Sequence, residues 1–520
     1  MPKRADHGPG AASHIVADQS EVAAFLARPE THGAEQVERI DTHAAMVFLA
    51  GERVYKVKRA VDYPYMDFST LEKRRQACVR EVALNRRTAR ALYLGVSAVR
   101  RHGDGSLALD GEGEIVEWAV VMRRFDQDGL FDRLAQAGRL TPGLLTRLAD
   151  EIAEFHDGAE PAGSRGETLD WVFRENAEEF GEYRRLFPAA RARRLNEATE
   201  AAFRRVKTML DDRRARGLVR RCHGDLHLRN ICLFQGRPTL FDAIEFSDRI
   251  ACVDIVYDLA FLLMDLDHRG LRTEANLVLN RYLQAMGGFE VLAALPLFLS
   301  LRAAVRAKVS ASAAASQSEE AEVRRLSAEA KDYFAAAQVY LDAPPARLVA
   351  VGGLSGSGKT RLARSLAPEL GPAPGALHLR SDVLRKAMFG VDELTPLPQE
   401  AYQAEVSEEV YSTLKTRARS VLAAGHAVVL DAVFAKPQGR LAIEVVAREA
   451  GMPFTGLWLD APEAVLSGRT AGRRGDASDA TPEIVKKQLA EETGTITWHR
   501  LDASGSPESV AAAARKILGL

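Results

Sequence analysis

The chain of 520 residues has little that suits a membrane, secreted or nucleic-acid-binding protein. No apolar run approaches the ~18 residues that a membrane helix needs. The charged start at 1–12 is followed by no apolar segment of the kind found in signal peptides. The net charge of -1 leaves no excess of positive charge to neutralise nucleic-acid phosphates. We therefore expect a cytoplasmic protein without membrane or nucleic-acid partners.

Cysteine is also scarce. Cys78, Cys222, Cys232 and Cys252 form neither a Cys-x-x-Cys pair nor a zinc-ligand spacing. This usage favours a reducing compartment over a disulfide-stabilised secreted fold. Cys222 is adjacent to a motif described below, and we interpret it as a buried structural thiol.

The length exceeds what one hydrophobic core normally serves, and the patterning changes along the chain. Residues 13–40 look helical and loosely anchored. The alternating segments 45–49 and 53–58, separated by a glycine turn at Gly51, predict a hairpin. A helix is predicted from Leu71 to about Tyr93 and a strand over 116–122, followed by a mostly helical region to about 340. After a Pro-rich linker at 342–346, strands and helices alternate as in a parallel α/β sheet.

Residues 223–230 read His-Gly-Asp-Leu-His-Leu-Arg-Asn, with the spacing of a protein-kinase-like catalytic loop. In such a site Asp225 would orient the acceptor hydroxyl or take its proton, and Asn230 would bind Mg²⁺. Asp242, twelve residues after Asn230 and just after a strand-like segment, is the second predicted metal ligand. Carboxylate and amide oxygens suit Mg²⁺, which is a hard cation.

A kinase-like site also needs a strand lysine for the nucleotide phosphates and a helix glutamate to aim it. Lys56 lies on a predicted strand ahead of the helix that contains Glu81. Lys58 faces the same side of that strand because side chains alternate along it. We favour Lys56 as the nucleotide-binding lysine and keep Lys58 as the alternative.

Residues 353–360 read Gly-Leu-Ser-Gly-Ser-Gly-Lys-Thr and match the Walker A phosphate loop, between an apolar strand and a helical pattern. Lys359 would reach the β and γ phosphates, and the Thr360 hydroxyl would bind Mg²⁺. Asp431 ends the apolar segment 428–430, as a Walker B acid does, and would support the same ion. Backbone N–H groups of the loop would converge on phosphate oxygens. The loop residues predicted to bind the nucleotide are Gly353, Ser355, Gly356, Ser357, Gly358, Lys359 and Thr360.

The 223–230 motif resembles that of aminoglycoside phosphotransferases and related small-molecule kinases, which have His-Gly-Asp where protein kinases have His-Arg-Asp. Asp254 and Asp258 resemble the acidic stretch that follows in that family. The resemblance covers roughly residues 40–340. Two features depart from the kinase pattern: no Gly-x-Gly-x-x-Gly loop precedes Lys56, and Asp242 is followed by Ala-Ile-Glu rather than Phe-Gly. The second departure argues against activation-loop regulation, and neither identifies an acceptor.

The region from about 347 resembles small P-loop kinases, including chloramphenicol phosphotransferase, gluconate kinase and zeta-toxin-like enzymes. The resemblance implies that Asp382, which follows a strand-like segment, contacts the acceptor hydroxyl as a base. Its alternative role is a helix N-cap, and one residue could serve both. The resemblance also implies that Arg469 and Arg473, with Arg474, form a lid over the transferred phosphoryl group. A charged mobile loop is the alternative interpretation of these arginines.

The whole layout resembles bacterial fusions of these two families. We predict an α+β kinase-like domain of the aminoglycoside-phosphotransferase (APH) type, followed by an α/β P-loop NTPase domain with a parallel sheet. The predicted divisions are an N-terminal extension at 1–40, a kinase-like N-lobe at 41–125, a helical C-lobe at 126–341, a linker at 342–346 and the P-loop domain at 347–520.

Both modules are predicted to use ATP and Mg²⁺ to phosphorylate a small-molecule hydroxyl, so the chain is predicted to be a kinase. Because the glycine loop is missing, one alternative is a nucleotide-sensing pseudokinase domain that regulates the P-loop domain. A P-loop domain that only hydrolyses ATP is another. The acceptors and the oligomeric state stay open.

Overall fold

The computed structural model describes residues 14–42, 44–63, 66–166, 168–472 and 476–520. The chain forms two compact units. The first contains the described residues of Met1–Glu167 together with Gly217–Asp258, and the second contains those of Thr168–Arg216 and Leu259–Leu520. The predicted linker at 342–346 therefore lies inside the second unit, where the preceding helices pack with the P-loop fold.

The first unit is built on an antiparallel sheet. The strands of this unit are β1 (Val37–Asp41), β2 (Ala45–Ala50), β3 (Arg53–Lys58), β4 (Asp62–Tyr63), β5 (Met66–Asp67), β6 (Tyr93–Arg101), β7 (Leu107–Leu109), β8 (Glu114–Arg123), β9 (Val219–Arg221), β10 (Ile231–Phe234), β11 (Arg237–Leu240) and β12 (Cys252–Asp254). Among the described residues, six of these strands form one sheet in the order β1-β2-β3-β8-β6-β7, and the other pairs are β4 with β5, β9 with β12 and β10 with β11.

Helices surround this sheet and the catalytic-loop segment. In the first unit they are α1 (Ser20–Leu26), α2 (Pro29–His32), α3 (Leu71–Asn85), α4 (Phe131–Gln136), α5 (Pro142–Gly158) and α8 (Asp248–Ala251). The hairpin predicted around Gly51 is confirmed as β2 and β3, and the strand predicted at 116–122 lies within β8. The predicted helix from Leu71 is too long: it ends at Asn85, whose side chain donates to the Glu81 carbonyl. Strands β6 and β7 were missed.

The N-terminal segment is more firmly held than its sequence indicated. Val22, Ala23 and Leu26 of α1 are buried in one core cluster with Tyr55 and Val57 of β3. Strand β1 pairs with β2 and runs across the predicted boundary at residue 40. The expectation of a loosely anchored segment is therefore wrong, because its apolar stripe covers one face of the sheet.

Both candidate lysines, Lys56 and Lys58, lie on the opposite face of the sheet. Since side chains alternate along a strand, Val54, Lys56 and Lys58 point away from the cluster that holds Tyr55 and Val57. Val54 packs with Cys78 and Val82 of α3. This packing places both lysines under the helix that contains Glu81.

The second unit contains helices from two parts of the chain. They are α6 (Asp170–Glu182), α7 (Ala189–Ala215), α9 (Ile255–His268, which begins in the first unit), α10 (Arg272–Met286), α11 (Leu295–Ala315), α12 (Glu320–Leu341), α13 (Lys359–Leu366), α14 (Ser381–Met388), α15 (Ala404–Ala423), α16 (Pro437–Glu449), α17 (Glu463–Ala471), α18 (Pro482–Ala490) and α19 (Pro507–Leu518). No helix in the described ranges is both long and apolar enough to cross a membrane.

The predicted parallel sheet is confirmed. Its strands are β13 (Leu348–Gly353), β14 (Leu377–Arg380), β15 (Val428–Asp431), β16 (Phe454–Asp460) and β17 (His499–Asp502), in the order β14-β15-β13-β16-β17 among the described residues. Central strand β13 is fully buried, and α13 and α19 pack on one face of the sheet. The chain leaves β13 first toward one edge and later toward the other. Such a switch point opens a crevice at the carboxyl ends of the strands, where the glycine loop lies.

Candidate active sites

The first site begins with Lys56 on β3. Its Nζ lies 2.9 Å from Glu81 Oε1 and 2.5 Å from Asp242 Oδ1. Glu81 is completely buried on α3. Sheet, helix and the loop after β11 thus supply one group each, in the arrangement of lysine, helix glutamate and metal-binding aspartate that the motifs predicted.

Lys58 is bound beside it. Its Nζ is 2.5 Å from Glu245 Oε1 and also pairs with the second oxygen of Glu81. The structure therefore brings both candidate lysines to Glu81, but Lys56 is the one that reaches Asp242. The role of Glu245 was missed, and its signal was the carboxylate three residues after Asp242 that was noted only as a departure from the kinase pattern.

Burial and pairing shift the protonation of this cluster. Burial raises the pKa of Asp242, but the charge and hydrogen bond of Lys56 outweigh it, so the pKa lies below the ordinary value. Burial lowers the pKa of Lys56, yet Asp242 and Glu81 hold it well above its usual range. For Glu245 burial dominates and the pKa is raised, despite the charge of Lys58. The Lys56–Asp242 pair is thus ionised at neutral pH.

The backbone at Asp242 is strained, with φ of +64°. Its N–H donates to the Tyr93 hydroxyl at 3.2 Å, and the next N–H, of Ala243, donates to Asn85 Oδ1 at 2.8 Å. Tyr93 and Asn85 are both buried beside α3. These bonds hold an unfavourable conformation that aims the Asp242 carboxylate at Lys56.

The catalytic-loop residues are also brought together. Asn230 Nδ2 donates to the backbone carbonyl and to Oδ2 of Asp225, both at 2.9 Å. His227 Nε2 lies 3.3 Å from the same Asp225 oxygen. This orientation leaves Asn230 Oδ1 as the amide atom that can bind a metal. Together with Asp242 it offers the hard oxygen donors that Mg²⁺ prefers, so these residues fit that ion.

A buried carboxylate fixes the loop from below. The Asp258 oxygens accept from the N–H groups of His223 at 3.1 Å and Gly224 at 2.8 Å, and one of them contacts His156 Nε2 at 3.1 Å. Gly224 has φ of +85°, and an added Cβ would meet Ala251 and Ile244 at 3.3 Å, so glycine is required there. Sequence reasoning noted Asp258 only as part of an acidic stretch and missed this anchoring role.

Cys222, His156 and Asp258 could in principle bind a metal, since their ligand atoms lie within 4.8 Å of one another. The Asp258 oxygens are already engaged by backbone donors, however. Burial raises the pKa of the Cys222 thiol well above its ordinary value, and the thiol donates to the Val253 carbonyl at 3.5 Å. A zinc ligand would have to be a thiolate. The cluster is therefore structural, and Cys222 is buried as expected.

The second site is the glycine loop between β13 and α13. Gly356 has φ of +83°, and a Cβ there would lie 2.5 Å from the Leu466 carbonyl, so only glycine fits. Lys359 Nζ donates to the Leu354 carbonyl at 3.0 Å, folding over the loop. Ser357 Oγ is buried without a hydrogen-bond partner among the described residues, which suits a loop that binds phosphate oxygens. The Ser355 N–H donates to Gln488 of α18 at 2.9 Å.

The predicted metal ligands of this site are in contact. Thr360 Oγ1 donates to Asp431 Oδ2 at 2.6 Å. Burial raises the pKa of Asp431, but the neighbouring His378, Arg380 and Lys359 outweigh burial and lower the pKa to about 2. The carboxylate is therefore ionised, and with the Thr360 hydroxyl it supplies oxygen donors that fit Mg²⁺.

Asp382 lines the same cavity as the glycine loop. The helix N-cap is Arg380, and Asp382 is within the first turn of α14, so the N-cap interpretation of Asp382 is wrong. Burial and the nearby Asp431 raise its pKa, against the charges of Lys359 and Arg380 and a hydrogen bond from Ser478. A carboxyl with a raised pKa beside the phosphate loop can act as a base.

Arg385, one turn after Asp382, was not predicted. It is 7% exposed, and its Nη atoms donate to the Ala401 carbonyl at 2.5 Å and Ser407 Oγ at 3.3 Å. Its Nε has no hydrogen-bond partner and no carboxylate pairs with it in the described ranges. By contrast, the adjacent Lys386 pairs with Asp479 at 2.7 Å. A buried guanidinium without a counterion is costly unless a ligand supplies one.

The predicted lid arginines are only partly described. Arg469 lies in the last turn of α17 and donates to the carbonyls of Ala503 at 2.8 Å and Gly505 at 3.4 Å. Arg473 and Arg474 lie outside the described residues. After them, Asp476 pairs with Arg380 at 3.0 Å.

One cavity joins these groups. Its volume is about 1020 Å³, and it is lined by the glycine loop, Asp382, Arg385, Asp431, Arg469 and the side chains of α18. This volume suits a nucleotide together with a small second substrate.

Two family models match the chain. The phosphotransferase enzyme family matches residues 52–295, and an AAA domain matches residues 348–493. The uncharacterized protein Rv2004c of Mycobacterium tuberculosis is 30% identical over 479 residues, covering 90% of this chain and 92% of the relative. The uncharacterized protein Mb2027c of Mycobacterium bovis matches to the same extent. The aligned length therefore extends over both modules of this chain.

Solved structures resemble one module or the other. A sugar kinase from Janibacter is 25% identical and covers 34% of this chain and 95% of its own, with a TM-score of 0.26. A choline/ethanolamine kinase family protein from Mesorhizobium loti is 14% identical and covers 62% and 98%, with a TM-score of 0.38. The fold assignment comes instead from the strand orders and the family models.

We predict that Asp258→Asn loosens the catalytic loop. The amide replaces one accepting oxygen by a donor, so a buried N–H at His223 or Gly224 loses its partner, at a cost of about 1–3 kcal/mol. Thermal unfolding should show this loss, and hydrogen exchange should quicken at these two amides.

The exposed Asp211→Asn provides the control, because Asp211 pairs only with Lys207 on the same helix face. Equal exchange at His223 and Gly224 in wild type and Asp258→Asn would contradict the anchoring role.

Proposed function

This chain, in which a phosphotransferase-family domain precedes a P-loop AAA domain, belongs to the family of its mycobacterial relatives, and on that premise we propose that both modules are ATP-dependent phosphotransferases. Each would transfer the γ-phosphoryl group of ATP to a hydroxyl of a small molecule. One observation carries the proposal. In each module groups predicted to bind the nucleotide and its metal are in contact: the predicted phosphate lysine Lys56 lies 2.5 Å from the predicted metal ligand Asp242, and the two predicted metal ligands Thr360 and Asp431 lie 2.6 Å apart.

In the kinase-like module, Lys56 would bind the ATP phosphates while Glu81 holds its ammonium in place. Asn230 and Asp242 would hold Mg²⁺, which neutralises charge on the phosphates when bound. Asp225 would accept the proton as the acceptor oxygen bonds to the γ-phosphorus and the bond to the ADP oxygen breaks. The catalysis is positioning and charge neutralisation, without a covalent enzyme intermediate.

The P-loop module would divide the same tasks differently. The backbone of 353–358 and Lys359 would hold the phosphates, while Thr360 and Asp431 would hold Mg²⁺. Asp382 would accept the proton of the acceptor hydroxyl. Arg469, with Arg473, would close over the transferred phosphoryl group. Asp431 stays ionised, which suits a metal ligand. Asp382 has a raised pKa, which suits a base.

We also propose that the acceptor of the P-loop module carries an anionic group, such as a carboxylate or phosphate, beside its reactive hydroxyl. Arg385 supports this because it is buried in the cavity with a partnerless Nε and no ion pair among the described residues. The planar guanidinium can bind a carboxylate or phosphate through two parallel hydrogen bonds. An anion held there would place the substrate beside Asp382.

The alternative of a nucleotide-sensing pseudokinase has less support. A sensor needs the nucleotide-binding lysine but no catalytic base, whereas here Asp225, Asn230 and Asp242 accompany Lys56. Asp225 and Asn230 are hydrogen-bonded to each other, and Asp242 reaches Lys56.

We predict that Asp225→Asn and Lys359→Ala each abolish one separate activity. Asn cannot take the acceptor proton, and Ala removes the charge that reaches the transferred phosphate. Transfer of γ-labelled phosphate should be screened over metabolites and antibiotics with wild type and both single variants. Each variant should lose the labelling of a different acceptor by at least ~100-fold.

Exposed Asp332→Asn and Lys331→Ala serve as matched controls. Two results would contradict the proposal. If Asp225→Asn keeps all transfer but alters the response to ATP, the first domain is a sensor. If Lys359→Ala removes only ATP hydrolysis and no acceptor is ever labelled, the P-loop module is an ATPase.

We predict that Arg385→Met raises KM for an anionic acceptor by about 100-fold, because truncating one partner of a buried charge pair costs ~2–5 kcal/mol. Arg385→Lys should recover part of the loss, since it keeps the charge but not the two-pronged geometry. Steady-state kinetics should be compared with those of exposed Arg448→Met. If neutral and anionic analogues lose affinity equally, Arg385 does not recognise an anion.

We predict that kcat/KM of the P-loop module rises with pH through the pKa of Asp382, which lies above the ordinary aspartate range. A base is active when deprotonated, so a higher pKa moves the acid limb to higher pH. Ser478→Ala removes a hydrogen bond that lowers this pKa, and the limb should move further upward. The profile is measured in Asp225→Asn, with exposed Ser504→Ala as control, and a downward shift would contradict the role of Asp382.

A further inference from the structure

Helix α10 binds the edge of the parallel sheet through two asparagines one turn apart. Asn276 Nδ2 donates to the Ala376 carbonyl at 3.0 Å, just before β14. Asn280 Oδ1 accepts from the His378 N–H at 2.6 Å. The two side chains are joined, since Asn280 Nδ2 donates to Asn276 Oδ1 at 3.1 Å. Helix α10 lies within the residues that match the phosphotransferase family, whereas β14 belongs to the P-loop sheet.

These contacts close an open edge. Strand β14 is the outermost strand on its side of the sheet, where backbone groups lack a neighbouring strand. Side-chain amides can replace that strand because each carries both donors and an acceptor. Asn276 is 5% exposed, so the contact is buried rather than a surface bond.

The same strand reaches the metal-binding end of the P-loop site. His378 and Arg380 are two residues apart on β14 and therefore point to one side of it. His378 Nε2 lies 3.4 Å from Asp431 Oδ2, and Arg380 Nε lies 3.6 Å from that oxygen. Asp431 Oδ2 also accepts from Thr360. One residue beyond β14, Ser381 starts the helix that carries Asp382.

The His378 ring meets Asp431 only at 3.4 Å, which is too long for a strong hydrogen bond to hold the ring. Its Nε2 is buried and makes no hydrogen bond to any residue that the structure describes. The position of the ring next to Asp431 therefore depends on where the backbone of β14 lies. Asn280 fixes that backbone by bonding to the N–H of His378 itself.

We propose that Asn280 is a positioning residue for the metal-binding carboxylate of the P-loop module. Through His378 and Arg380 it sets the place of Asp431, so a helix of the kinase-like region is a working part of the P-loop site. The proposal rests on the proposed function only in that this site binds Mg²⁺ with ATP. It does not require an acceptor or phosphoryl transfer.

The test measures nucleotide binding in the full chain. Lys56→Met is included in every protein so that binding reports the P-loop site. Affinity for a fluorescent ATP analogue is measured with Mg²⁺ and with EDTA. Asn280→Leu removes the acceptor for the His378 N–H at similar size, and we expect the Mg²⁺-dependent gain in affinity to fall by about 5- to 10-fold, in line with one lost hydrogen bond. Affinity in EDTA should change by less than about 2-fold, since the phosphate loop itself is untouched.

Two further variants separate positioning from general damage. Asn280→Asp keeps an oxygen for the His378 N–H but loses the donor to Asn276, so it should restore part of the Mg²⁺-dependent gain. Gln284→Leu makes the same polar-to-apolar change at an exposed position of α10 and should have no effect. A full Mg²⁺-dependent gain in Asn280→Leu would overturn the proposal. So would equal losses with Mg²⁺ and EDTA, which indicate only a structural role.

The outcome is independent of catalysis. If Asn280→Leu loses the Mg²⁺-dependent gain while no acceptor is ever phosphorylated, the positioning role stands and the kinase assignment of the module fails.

Discussion

Both sites depend on carboxylates that are partly or fully removed from water yet kept ionised by groups from other elements. Removing a carboxylate from water favours its neutral form, which cannot bind a metal. In the first site the ammonium of Lys56 reverses that tendency at Asp242, and in the second the charges of Arg380 and Lys359, with the contact of the His378 ring, do so at Asp431. Strand, helix and loop must all be in register for these pairs to form. The chemistry of each module therefore requires its whole fold.

The two modules stabilise their loops in different ways. In the kinase-like unit the Asp258 carboxylate gathers two backbone N–H groups of the catalytic loop, and Tyr93 and Asn85 hold the strained Asp242. In the P-loop fold, glycines let the backbone itself turn inward to form the anion site. Side chains therefore position the loop of the kinase-like unit, whereas glycines, which have no side chain, let the backbone of the P-loop take its conformation. Asn280 extends side-chain positioning to the P-loop sheet by closing its open edge.

Much of the sites could be predicted because their motifs are local. The hairpin around Gly51 and strand β15 follow from alternation and apolar runs, and the glycine loop lies between a strand and a helix as expected. The helix from Leu71 was drawn too long because its apolar stripe continues to Leu92, although the chain turns after Asn85 and begins β6 at Tyr93. The N-cap interpretation of Asp382 failed because the helix begins at Ser381. Periodicity reports the apolar face of a segment but not where its backbone turns.

The sequence by itself indicated the residue types of both candidate sites, because the residues of each central motif, 223–230 and 353–360, are spaced by only a few positions along one loop. The tertiary structure alone decided which side chains and backbone groups pair with these residues. Three of these pairings join segments far apart in the chain: Lys58 with Glu245, Asp258 with the loop amides and Asn280 with His378. That Arg385 meets no carboxylate among the described residues likewise depends on what surrounds its side chain. Three-dimensional packing determines which charges are paired and which backbone groups are hydrogen-bonded. No local pattern in the chain encodes these pairings.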